Sequence, residues 1–153
     1  MKQAILCASL LALYLPAAQA VDFNNDALKS MQKEGHKIVE AEQKSRAYAL
    51  ASGLCLQASG SALAASKCNS KSNNQKWYFD DQKRLVDHSG NCVNATAAGA
   101  AAALQTGGSG TSQQWKHDSK QRLANGNKLC LQAGSDKKVV AAACGNSPDQ
   151  VWK

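Results

Sequence analysis

Two regimes of hydrophobic and polar patterning divide the chain near residue 47. Beyond it, apolar positions come in pieces of three to six residues, broken by turn clusters at Ser52-Gly53, Ser59-Gly60, Ser89-Gly90, residues 107–110 and Asn125-Gly126. Short apolar pieces between Gly, Ser and Asn punctuation predict strands. Before it, residues 21–46 are polar, free of proline and rich in helix formers. Leu28, Met31, Ile38 and Val39 recur there at helical spacing, behind the N-cap candidates Asn24, Asn25 and Asp26. That predicts a helix over residues 26–46. Glu40 with Lys44 and Glu42 with Arg46 would add a few tenths of a kcal/mol each as pairs four apart. Gly35 would remove up to about 1 kcal/mol. The apolar stripe is narrow, so the helix is expected either to pack lightly on its own domain or to dock on a separate partner. The first twenty residues have a third pattern: Lys2, an apolar run from Ala4 to Leu15, then Ala18-Gln19-Ala20. This predicts a signal peptide cleaved after Ala20 and a secreted or periplasmic product. The run is too short for a spanning helix, which needs about 20 apolar residues.

The strand-rich part repeats itself. With Cys55, Cys92 and Cys130 in register, three Gln-x-Trp motifs follow at 20, 21 and 20 residues: Gln75-Lys76-Trp77, Gln113-Gln114-Trp115 and Gln150-Val151-Trp152. Tyr48, Leu85 and Leu123 stand seven residues before the cysteines, and Leu56, Val93 and Leu131 directly after them. Three units of about 37 residues result, near 47–83, 84–121 and 122–153. The alanines between Ala97 and Leu104 would favour helix by propensity, but repeat register assigns them to a strand. One unit cannot bury an apolar face alone; three about a pseudo-threefold axis can. Trp77, Trp115 and Trp152 are therefore expected in a shared core, where complete burial is worth up to about 4–6 kcal/mol per ring. The neighbouring glutamines are expected to cap backbone groups at turns.

Three Gln-x-Trp motifs with cysteines in phase resemble the ricin-type lectin family of β-trefoils. The resemblance implies an all-β trefoil behind the helix, with a disulfide closing each unit. Cys55 with Cys68 and Cys130 with Cys144 match that pattern. In the second unit Gln105 and Thr106 occupy the region expected for the partner of Cys92, so Cys92 is expected unpaired, either buried as a small apolar residue or bonded to another subunit. Family members with working sugar sites place an aspartate two residues after the first cysteine and an aromatic about two before the second. Here those positions hold Gln57, Asn94 and Gln132, then Ser66, Leu104 and Ala142. The polar residues before the motif glutamines are Asn74, Ser112 and Asp149. The resemblance thus points to weak carbohydrate-binding pockets, first at Gln57, Asn74 and Gln75 and second at Gln132, Asp149 and Gln150. A neutral amide at the aspartate position forgoes charge-assisted bonds, which are about twice as strong as neutral ones.

Composition narrows the chemistry. A formal charge of +7 reads first as a surface kept soluble and second as one suited to anionic partners. Exposed stacking aromatics are scarce, which argues against nucleic acid despite Lys137-Lys138. His36, His88 and His117 are scattered and no Cys-x-x-Cys occurs, so no metal site or cofactor is expected. Asp87-His88-Ser89 holds the residue types of a catalytic triad, but strand neighbours point to opposite faces, so it reads as a turn. No catalytic constellation emerges, and the chain is not expected to be an enzyme. Two functions remain open: an exported carbohydrate-binding module, accessory to or cell-binding for a secreted toxin or hydrolase, or a degenerate trefoil that contacts a secreted protein through residues 26–46 and its own surface.

Overall fold

A computed structural model describes residues 24–153. The expected signal peptide, residues 1–20, lies outside the described residues, as do the side chains of Ile38, Glu40 and Glu42. Asn24 starts the helix α1 (Asn25–Lys44): its Oδ1 accepts from the backbone N–H groups of Asp26 at 3.1 Å and Ala27 at 3.3 Å. The helix ends before Arg46, earlier than its spacing suggested. Arg46 exchanges backbone hydrogen bonds with Trp77 at 2.8 and 2.9 Å, and its guanidinium lies 4.7 Å over the Tyr48 ring. It belongs to the β structure, so the expected helical pair with Glu42 is not made within a helix. Nor does the trefoil cover the described part of the apolar stripe: Leu28, Met31 and Val39 are 43, 72 and 55 % exposed.

Ten strands follow: β1 (Leu54–Ser59), β2 (Ala62–Lys67), β3 (Trp77–Phe79), β4 (Leu85–Asp87), β5 (Cys92–Asn94), β6 (Ala103–Gln105), β7 (Trp115–His117), β8 (Leu123–Asn125), β9 (Leu129–Ala133) and β10 (Val139–Ala143). Six segments close a barrel. Residues 46–50 join β3 through Arg46 and Trp77, β3 pairs with β4, and β7 is tied to residues 83–84 and pairs with β8. Trp152 N then donates to Gln121 O at 2.7 Å, and Lys153 and Ala49 exchange bonds at 2.7 and 2.8 Å to complete the ring. The other three pairs, β1–β2, β5–β6 and β9–β10, are hairpins that meet one another through Ala62 with Ala103, Ala64 with Lys138 and Ala101 with Val140. Barrel below and three hairpins above make the β-trefoil implied by the repeats.

The second unit departs from the others. Its longer cysteine-to-glutamine spacing falls in residues 97–100, which turn instead of extending as the repeat register implied. Gly99 adopts φ +83° there and donates to Ala141 O at 2.8 Å. Only a bridge at Ala101 and the short β6 remain of the expected strand.

The in-phase apolar residues form one core: Tyr48, Leu56, Leu85, Val93, Leu123 and Leu131 with the three tryptophans, each at most 2 % exposed. Every Trp Nε1 donates to the carbonyl directly after its unit's first cysteine: Leu56 at 2.9 Å, Val93 at 2.7 Å and Leu131 at 2.9 Å. The indole thus buries its area without stranding its N–H. The same bonds tie each barrel strand to its hairpin.

Candidate functional site

Each motif glutamine is buried and clasps the backbone on both sides of one residue. Gln75 Oε1 accepts from Asn69 N at 2.8 Å while its Nε2 donates to Lys67 O at 3.0 Å. Gln150 does the same with Gly145 N at 2.8 Å and Ala143 O at 3.0 Å, and Gln113 with Gly108 N at 2.6 Å and Thr106 O at 3.3 Å. The clasped residues are Cys68, Cys144 and Gly107. In the first and third units they close the disulfides Cys55–Cys68 and Cys130–Cys144.

Gly107, and neither Gln105 nor Thr106, is therefore the counterpart of the second cysteine. The Arg84 guanidinium fills the space a Cβ there would need, and Cys92 Sγ lies 3.1 Å from the same point. Cys92 is free and buried. Burial pushes its thiol up, against a smaller opposite pull from Arg84. Arg84 is held in turn by Asp80, whose carboxylate also accepts from the backbone N–H groups of Gln82 and Arg84. Asp118 and Arg122 repeat this clamp in the next unit, where Arg122 Nη1 donates to Gly145 O at 2.9 Å. Burial alone would raise the Asp118 carboxyl; the bonds from Arg122 outweigh it and hold the group below its ordinary value.

In two units the clasping amide makes one further bond. Gln75 Nε2 donates to Gln57 Oε1 at 2.9 Å, and Gln150 Nε2 to Gln132 Oε1 at 2.8 Å. These bonds fix the half-buried amides of Gln57 and Gln132 with their carbonyl oxygens engaged. Their own Nε2 groups reach solvent and make no bond among the described residues. The amide bonds thus bring together Gln57 with Gln75 and Gln132 with Gln150, while Asn74 and Asp149 are exposed and directly precede the clasping glutamines in sequence. The second unit lacks the connection. Asn94 is one methylene shorter than glutamine, and no bond joins it to Gln113. No aromatic ring occupies the residue opposite the first cysteine; Ser66 and Ala142 stand there in the first and third units.

The following unit supplies a rim. Asn73 Nδ2 lies 3.4 Å from His88 Nε2, and Thr111 Oγ1 donates to Asn127 Oδ1 at 2.6 Å one unit later. His88 sits in the turn expected for it, shaped by buried Asp87, which accepts from Ser89 N at 2.9 Å and Asn91 N at 2.7 Å. Neither this rim nor the Asp–Arg clamps is visible in local sequence. The recurrence of Asp80 with Arg84 and of Asp118 with Arg122 in repeat register is the signal that finds the clamps. Among the described residues, no helix is long and apolar enough to cross a membrane and no group of His, Cys, Asp or Glu could hold a metal ion.

The fold is shared with proteins of known structure. The agglutinin from Abrus precatorius superposes with a TM-score of 0.64 at 19% identity, over 71% of this chain and 45% of that one. A non-toxic homologue of type II RIPs from Momordica charantia, solved with α-methyl-D-galactoside, gives 0.62 at 14% identity over 72 and 48%. GalNAc-T7, solved with UDP, GalNAc and Mn2+, gives 0.57 at 16% identity over 66 and 20%. The chain thus spans less than half the length of each of these structures. No curated protein matches it in sequence. The model of one family, the ricin-type beta-trefoil lectin domain, matches residues 29–106, about half of the chain, and the chain belongs to that family.

Proposed function

We propose that this protein is an exported carbohydrate-binding module with two working pockets, in its first and third units, and a silent second unit. The observation that carries this reading is the amide pair: Gln75 to Gln57 and Gln150 to Gln132, at 2.9 and 2.8 Å, with no equivalent at Asn94. Each pair pre-sets a hydrogen-bond donor, and an exposed Asn74 or Asp149 precedes the clasping glutamine; together these groups would serve a sugar's adjacent hydroxyls. Neutral amides at the position of the family's aspartate and no ring opposite the first cysteine place the affinity at about the millimolar level, near −4 kcal/mol per site. Binding without chemistry at such pockets suits a targeting role for a secreted toxin or hydrolase. The apolar run before Ala18-Gln19-Ala20 supports export.

A glycan array probed with the full chain tests the reading. Binding should weaken in Asn74→Ala and in Asp149→Ala, vanish in the double variant and persist in Asn94→Ala. Silence across the array, or equal sensitivity to Asn94→Ala, would overturn it. A second role falls to α1, whose exposed Leu28, Met31 and Val39 favour contact with another secreted protein. Removing residues 25–44 should abolish recovery of that partner from culture supernatant while leaving the array pattern intact; unchanged recovery would refute the role.

A further inference from the structure

From the first pocket we infer a ligand class, resting on the sugar-binding reading above: it selects acidic sugars, those bearing a carboxylate or sulfate ester, over neutral ones. Three observations converge on it. First, the loop that holds the Gln75 amide is cationic. Lys67 supplies the carbonyl that Gln75 Nε2 binds, Asn69 supplies the N–H that Gln75 Oε1 accepts, and Lys71 N is tied back to Asn69 Oδ1 at 3.0 Å. Lys67 and Lys71 thus flank the pocket's backbone, with Lys76 next to Gln75 itself.

Second, no acidic residue of the same unit, up to Phe79, pairs with them. Residues 47–79 contain no aspartate or glutamate, and Lys67, Lys71 and Lys76 form no ion pair among the described residues. Of the acidic groups that follow, Asp80 is paired with Arg84 and Asp87 lies buried against backbone N–H groups, while Asp81 stands exposed in the next turn. The rim residue His88 adds no negative charge. Third, the pocket floor is neutral. Where the family's sugar sites carry an aspartate, Gln57 stands with a free amide donor. A carboxylate at that position would repel an anionic ring substituent; an N–H donor attracts it.

The third unit is an internal contrast. Its Gln132–Gln150 pair is built alike, but Asp149 stands where the first unit has Asn74, and Lys138 is paired with Asp136 at 3.2 Å. The two pockets therefore differ in ligand class within one chain. The third is suited to neutral sugars, since Asp149 repels an anion and accepts from hydroxyls.

Calorimetric titration of the full chain carrying Asp149→Ala, which disables the third pocket, tests this with two trimers that differ only at the exocyclic C6 of each residue. One is the galacturonate trimer, bearing carboxylates, and the other is the galactose trimer. Taking about 7 Å between an added charge and each of the two lysines, low salt gives the galacturonate trimer about a fivefold preference. That preference should vanish at high salt and in the Lys67→Gln, Lys71→Gln double variant, and Gln57→Ala should abolish binding of both trimers. Equal or tighter binding of the galactose trimer, still abolished by Gln57→Ala, overturns the selectivity and leaves the sugar-binding reading standing. Binding of neither trimer, or binding indifferent to Gln57→Ala, overturns the selectivity, and silence across the glycan array overturns the sugar-binding reading beneath it. Single-stranded DNA that competes as well as the galacturonate trimer, with no effect of Gln57→Ala, marks a general polyanion surface and also overturns the inference.

Discussion

Replacing Gln75 with alanine separates the structural work of the motif glutamine from its work in the pocket. Gln75 is 3 % exposed and makes three bonds, to Asn69 N at 2.8 Å, Lys67 O at 3.0 Å and Gln57 Oε1 at 2.9 Å. A buried polar group left without a partner costs about 1–3 kcal/mol. Asn69 and Lys67 are exposed residues, so water can reach the stranded groups and the lower end applies. The total comes to about 2–3 kcal/mol for three such bonds, against a net stability of about 5–15 for a domain, so the variant folds. Gln113 makes two bonds, one of them long at 3.3 Å, and no third to Asn94. Gln113→Ala should therefore cost about 1 kcal/mol less, the worth of one net hydrogen bond. Urea titration with disulfides intact, followed by tryptophan fluorescence, measures both, since all three indoles are buried and become exposed on unfolding. In melting experiments the Gln75→Ala loss corresponds to about 6–12 °C. An equal or larger cost for Gln113→Ala, or a cost below about 0.5 kcal/mol for Gln75→Ala, would refute the assignment of the third bond.

Other consequences follow from the same geometry. The Gly107→Cys, Arg84→Ala variant should form a third disulfide with Cys92, adding about 3 kcal/mol by loop closure; mass spectrometry showing two free thiols in the folded protein would contradict the placement of Gly107 opposite Cys92. In the unmodified protein a thiol reagent should find Cys92 unreactive until denaturant is added, then one thiol per mature chain, whereas fast native reaction would contradict its burial. The folded-state value of Asp118 is depressed, so the stability it contributes is present above the ordinary carboxylate range and lost as pH falls through that lower value. The gap between the unmodified chain and Arg122→Met should accordingly shrink in acid, and a gap constant with pH would count against the clamp.

Fold and site were legible to different depths. The trefoil could be read because apolar positions, cysteines and Gln-x-Trp motifs keep one register, and burial of Tyr48, Leu85 and Leu123 at the same barrel layer is what that register encodes. Barrel closure between Ala49 and Lys153 could not be read locally, since it joins residues at opposite ends of the domain. For the same reason Arg46 looked helical: its spacing fits the helix, while its backbone partners lie 31 residues away at Trp77. The extra residue of the second unit was visible as a spacing of 21, but not its effect, a turn where the repeat has strand. Repeat register points to the residues proposed for both pockets. What joins them, a side-chain bond across 18 residues, depends on how each hairpin meets its turn. The contact of Asn73 with His88 joins two units and has no local sequence signal.

We propose that the first and third units bind sugar and that the second does not. Nuclear magnetic resonance of the side-chain amides measures it most directly, with the full chain titrated by a neutral and an acidic oligosaccharide. The amides of Gln57 and Gln75 and those of Gln132 and Gln150 should shift on titration, while Asn94 and Gln113 stay in place. Shifts of Gln113 equal to those of Gln75 and Gln150, or no shift at any of the six residues, would contradict it.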